Sequence, residues 1–243
     1  MSASSAPAAG KANGLSTVVN VITAPREAFE TLRVSPMWGW ALVVAVVLTA
    51  IGQYLSTPAA LHAIQASWPA QVAASPQLSG QSPEAQQNAL NISLGVVKWL
   101  WLFSPVIVII GALVSTIVML IFNAIGRGNA GFKQLWSAAM NIAVVSAGVS
   151  SLLNGLIAVV RGPSIYNSTV AAYKAVPSLA WLVPQGAVKM TAFLAGFSVV
   201  GIWAAVLVAM AMMYVANTSK AVGAICALVM LCIGSAFLAW GAR

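Results

Sequence analysis

Three acidic residues, one histidine and two cysteines are the whole stock of groups with which these 243 residues could do acid–base, metal or thiol chemistry. Such work needs clusters, in which two or more of Asp, Glu, His or Cys converge on one proton, metal ion or leaving group. Glu27 and Glu30 stand far along the chain from Glu84, and His62 has no carboxylate nearer in sequence than Glu84. Cys226 and Cys232 lie in one apolar run, at a spacing that puts them on different faces of a helix and matches no metal or redox pattern. No Gly-x-Ser-x-Gly elbow occurs. The stretch Gly126-Arg-Gly-Asn-Ala-Gly131 has the glycines of a dinucleotide loop, but that loop must follow a strand, and here an apolar helical block precedes it. The expectation is a protein that is not an enzyme and holds neither metal nor cofactor.

Two milder constellations remain. Ser146, Ser150 and Asn154 recur at i, i+4 and i+8, which places them in one stripe along a helix, with Gly148 and Gly155 close by. Hydroxyls and amides of this kind join helices in lipid at roughly 0.6 kcal/mol per hydrogen bond. The stripe is therefore expected to pack against a neighbouring helix, and Asn154→Leu to lower stability modestly. The alternative is that it lines a solute path. The second constellation is Arg127, Phe132 and Lys133, held in the glycine-rich stretch 126–134, together with Lys220 in another short link. Cations beside an exposed aromatic suit a protein-docking surface, but cations alone also enforce topology and contact anionic headgroups.

Apolar helices must position these groups. Hydrophobic residues make up 60% of the chain and charged residues 6%, against about 25% charged in soluble domains, which leaves too little polar surface to wet a globule. The net charge of +8 comes from scattered Lys and Arg at the ends of apolar blocks, without the stripe that nucleic-acid binding needs. Five blocks approach or exceed the about 20 apolar residues that cross a hydrocarbon core: 37–55, 99–125, 135–160, 191–215 and 221–241. The reading is an all-α polytopic membrane protein with five transmembrane helices, a disordered N-terminal tail over 1–17 and one membrane domain over 18–243. A short amphipathic helix over 25–33, capped by Thr23 and opened by Pro25, is expected to lie on the membrane surface. The connection 56–95 holds Pro58, Pro69, Pro76 and Pro83 and reads as a long loop with two short helices, the second capped by Ser82. Arg26 and Arg33 precede the first block, and no Lys or Arg occurs over 34–97, so the N-terminus is placed in the cytoplasm and the C-terminus outside.

Several segments together resemble the bacterial members of the Yip (Ypt-interacting protein) family. Val21-Ile-Thr-Ala-Pro-Arg-Glu-Ala-Phe29 is similar to its V-x-x-x-P-x-x-x-F lead-in. Gly126-Arg-Gly-Asn-Ala-Gly-Phe-Lys-Gln-Leu135 is similar to its G-x-G-x-x-x-F-K-x-L link, and Thr218-Ser-Lys-Ala221 to its S-x-K-A turn. The resemblance implies five membrane helices with a cytoplasmic N-terminus, in the bacterial cytoplasmic membrane. Eukaryotic relatives bind small Rab-type GTPases, but this chain lacks their D-L-Y-G-P element, and that activity is not carried over. The leading expectation is a non-enzymatic membrane scaffold or adaptor that binds a cytoplasmic protein, or a second copy of the chain, through Arg127, Phe132, Lys133 and Lys220. The alternative is a transporter or channel for a small or lipid-like solute that uses Ser146, Ser150 and Asn154.

Overall fold

Side-chain caps open several of the helices. The computed structural model describes residues 13–184 and 186–242. Asn13 Oδ1 accepts the Leu15 N–H at 3.1 Å and opens α1 (Gly14–Thr23). The expected tail over 1–17 is thus helical over 14–17, and its remainder up to Ala12 lies outside the described residues. Pro25 opens α2 (Pro25–Val34) with Ala24 in the cap position; Thr23, expected there, ends α1 and bonds back to Val19 O. Then follow α3 (Gly39–Ala74), α4 (Pro76–Ser79) and α5 (Pro83–Trp99), the last capped by Ser82, whose Oγ accepts the Ala85 N–H at 3.3 Å as expected. A 3₁₀ turn joins α5 to α6 (Ser104–Ile125). Next, α7 (Phe132–Ala143) continues through a π-helical segment (Val144–Val149) into α8 (Ser150–Arg161). The chain ends with α9 (Thr169–Tyr173), α10 (Val188–Ala195), α11 (Val199–Tyr214) and α12 (Lys220–Gly241). Apart from one isolated bridge between Ser178 and Ser198, regular structure among the described residues is all helical.

Four helical runs are long and apolar enough to cross a membrane: Gly39–Ala74, Pro83–Ile125, Phe132–Arg161 and Lys220–Gly241. They contain four of the five expected blocks. The fifth, 191–215, is not one helix, because the chain unwinds at Gly196, Phe197 and Ser198 and leaves α11 with 16 residues, about 24 Å of helix. The expected loop 56–95 is also corrected. Helix α3 runs on through Pro58 and Pro69 for 36 residues, about 54 Å, and α5 packs back against it. The two form a hairpin that extends beyond the length of a hydrocarbon core.

Small residues bring the helices together. Gly52 lies against the backbone of Ser151 and Leu152, Gly155 against Gly52 and Leu55, and Gly148 against Leu48. Ser151 Oγ donates to Thr49 O at 3.2 Å across the same contact. Helices α11 and α12 meet in the same way where Gly223 faces Ala209 O. The core is thickest where α7 meets α3, α6 and α11, and α1 and α2 close that end. Val21, Phe29 and Leu32 are fully buried there. The apolar face of α2 is therefore spent on α7 and α11 rather than on a membrane surface.

Candidate functional site

The residues singled out in the sequence gather at two places, the end closed by α1 and α2 and a crevice in the opposite half. At the first, the turns before α7 and before α12 are hooked together. The Asn129 N–H donates to Ala216 O at 3.0 Å, and the Asn123 amide donates to Ala130 O at 3.0 Å. Thr218 bonds to Met212 O through both its N–H and its hydroxyl, at 3.0 and 2.9 Å. Gly128 fits between Asn123, Ala216 and Thr218, where a side chain would collide with all three. Arg127 and Asn217 hold left-handed backbone at φ 51° and 59°, a conformation that asparagine tolerates and arginine adopts at a cost. The Gln134 side chain accepts the Gly131 N–H and donates to Arg33 O at 2.6 Å, which ties α7 to α2.

Arg127, Lys133 and Lys220 are exposed on this frame. Lys220 sits in the first turn of α12, where a cation opposes the helix dipole, so it does not serve helix stability. Phe132 is 52% exposed and stacks on Trp136 with ring centroids 6.1 Å apart, and Trp136 in turn meets Trp38 edge-on. Arg26 is paired with Glu30 at 2.8 Å and lies 5.4 Å from the centre of the Tyr214 ring. The structure thus places the four expected docking residues at one rigid end.

The polar stripe is corrected. Ser146 and Asn154 are exposed and Ser150 is half-buried, so they do not pack against a helix. The helix-packing role belongs to Gly148, Ser151 and Gly155, which meet α3. The wide turn of the π segment separates α7, which touches α11, from α8, whose main partner is α3. Between α8 on one side and α10, α11 and α12 on the other, a cavity of about 770 Å³ remains. One wall carries Ser146, Ser150 and Asn154; the other carries the break at Gly196 and Ser198, with Val199 and Met230. At the break, Ser198 Oγ accepts the Gly201 N–H at 3.1 Å and starts α11. Ser235 Oγ is buried without a hydrogen-bond partner and lies against Gly196 in the same wall.

The segment between α8 and α10 roofs the crevice, and its polar groups are used internally. Arg161 donates to Ala175 O at 3.0 Å, Lys174 to Val183 O at 2.6 Å and the Trp181 indole to Lys174 O at 2.8 Å. His62 from α3 meets Tyr166 O at 3.2 Å, a contact that ties α3 to the roof. Tyr173 lines the cavity, and burial raises the pKa of its phenol above the ordinary value, so it stays neutral. The Leu179 N–H bonds to Phe197 O, which ties the roof to the helix break. Among the described residues no three His, Cys, Asp or Glu come together as a metal site.

Comparison with family models, with curated proteins and with solved structures gave no match. The helix break is the element that the sequence reading missed. Its signal was local: Gly196 ends one helix, and Ser198 stands three residues before Gly201, as an N-cap does. Hydropathy is continuous across these residues and conceals it.

Proposed function

We propose that this chain is a non-enzymatic, five-crossing membrane protein that takes a lipid-like solute into the crevice between α8 and α10 to α12, and acts as its carrier. The observation that carries the reading is the broken helix facing the Ser146, Ser150 and Asn154 stripe across an open cavity. Interrupted membrane helices occur in transporters where solute is bound, because unwound backbone is tolerated at membrane depth only beside protein or a cavity. Together α10 and α11 contribute 8 and 16 helical residues, about 36 Å of helix, enough for the fourth crossing. Native mass spectrometry of protein extracted from its own membrane tests the reading. A bound amphiphile is expected, and protein that is consistently ligand-free overturns it.

With five crossings the two ends lie on opposite sides, and Arg26 and Arg33 ahead of the first block favour an N-terminus in the cytoplasm and a C-terminus outside a bacterial cytoplasmic membrane, the topology that the Yip resemblance implies. Reporter fusions at the two ends should then report opposite sides. Both ends on one side would mean that α10 and α11 re-enter rather than cross.

A second reading, a scaffold or adaptor for a soluble cytoplasmic protein, is favoured by the exposure of Phe132 on a rigid end beside Arg127, Lys133 and Lys220. Phe132→Ala keeps charge and topology, so it should abolish co-purification of a docked partner while insertion stays normal. Partner recovery that survives Phe132→Ala and fails only without Arg127 and Lys133 would assign the end to lipid headgroups and topology instead.

A further inference from the structure

We infer that the crevice selects an uncharged amphiphile, one whose head both donates and accepts hydrogen bonds as a monoacylglycerol does, and that Asn154 reads that head. The inference rests on the proposed crevice site and names its ligand class. Its polar lining consists of neutral groups, the hydroxyls of Ser115, Ser146, Ser150, Ser198, Ser235 and Tyr173 and the amide of Asn154. No Lys, Arg, His, Asp or Glu lines it among the described residues. A phosphate, carboxylate or ammonium would be withdrawn from water there without a counter-charge, which is strongly unfavourable. A hydroxyl or ester loses far less and regains it through hydrogen bonds.

The exposed polar groups offer both hydrogen-bond senses. The Asn154 amide nitrogen donates to Ser150 O at 2.9 Å, which leaves its Oδ1 to accept from a ligand hydroxyl. Ser198 Oγ already accepts the Gly201 N–H, so its own hydrogen can be given to a ligand oxygen. A head with two hydroxyls can give a hydrogen to Asn154 Oδ1 and accept one from Ser198, whereas a carboxylate has no hydrogen for Oδ1 and a quaternary ammonium makes no hydrogen bond to either. The apolar residues of the same two walls, Leu153 on one and Val199, Met230 and Leu238 on the other, take the chain.

Three photoactivatable probes of equal chain length test this on the full chain in nanodiscs: a monoacylglycerol, a fatty acid and an alkyltrimethylammonium. The monoacylglycerol should label the peptides carrying residues 146–157 and 196–205 saturably, several-fold more than either ion. Asn154→Leu, a substitution at an exposed position, should leave thermal unfolding unchanged and reduce that labelling about fivefold, the worth of one hydrogen bond. Asn154→Asp should turn preference towards the cationic probe, which a merely structural residue would not do. Equal labelling of the wild type by a charged probe overturns the selectivity and leaves the crevice standing. Labelling by all three probes that fails to saturate overturns the crevice reading itself, and the selectivity with it.

Discussion

Gly52→Ala is expected to cost the protein most of its folded yield in detergent. At this position α3 crosses the α7–α8 run with no space between the backbones: a methyl group on Gly52 would overlap the carbonyl of Ser151 and reach within 2.5 Å of Leu152 N. Backbone atoms cannot rotate aside as a flexible side chain can, so the two helices must separate. That separation would break the Ser151 hydroxyl bond to Thr49 O and open the contacts of Gly148 and Gly155 with the same helix. Overpacking costs about 1–3 kcal/mol in ordinary cores and more where nothing can yield, and the upper end applies here. Replacing a helical glycine otherwise gains roughly 0.5–1 kcal/mol. Gly111→Ala and Gly234→Ala, where nothing lies within 4 Å, should therefore be neutral or slightly stabilising. Thermal unfolding and gel-filtration homogeneity of the three variants provide the measurement. A Gly52→Ala protein as stable as the two controls would show that α3 does not sit on α8 this closely.

The helices themselves were legible because hydrophobic content locates membrane-length blocks irrespective of what they pack against. What hydropathy could not show is where a helix stops. Pro58 and Pro69 read as breaks, yet α3 passes through both. Each proline removes the bond to the carbonyl four residues earlier, Tyr54 O and Gln65 O, and the nearby hydroxyls bond to other carbonyls, Ser56 and Thr57 to Gln53 O at 3.1 and 2.9 Å and Ser67 to Ala63 O at 2.7 Å. Proline bends a helix as readily as it ends one, so Pro58 and Pro69 by themselves did not mark an end. Gly196 was the converse case. It lies in a strongly apolar stretch, so hydropathy reads through it, while α10 stops before it and the Ser198 cap starts a new helix.

The face of a residue was harder to read than its helix. The spacing of Ser146, Ser150 and Asn154 correctly puts them on one wall, but which way that wall looks depends on long-range packing. Gly148 and Gly155, a short rotation away on the same run, approach α3 more closely than serine and asparagine side chains at those positions would allow. Packing claims the smaller residues and leaves the polar ones in the crevice. For α2 the amphipathic pattern was read correctly and its partner was not: an apolar stripe fits a membrane surface or a protein groove equally well, and here Phe29 and Leu32 fill the protein.

Ser150→Phe is expected to empty the crevice while leaving the fold intact. Ser150 is half-buried in the cavity wall, one turn before Asn154. The local bond that it makes uses its backbone carbonyl, which accepts the Asn154 amide, and any residue supplies that carbonyl. A phenyl ring here is apolar in an apolar setting, so it adds no buried polar group and no charge, and thermal unfolding should stay within about 1 kcal/mol of wild type. One ring does not fill about 770 Å³, but it enters the cavity from the wall that carries the Asn154 amide and takes space that a polar head beside Asn154 would use. Loss of the head contacts and of chain space together should reduce the bound amphiphile at least about tenfold, equivalent to 1.4 kcal/mol. Ser150→Ala removes the hydroxyl without adding volume and should retain most of the ligand. Native mass spectra of the three proteins, purified side by side from the same membrane, separate the cases. If Ser150→Phe carries as much amphiphile as the wild type, the bound molecule sits elsewhere on the lipid-facing surface, and the facing of the stripe and the broken helix has no part in holding it.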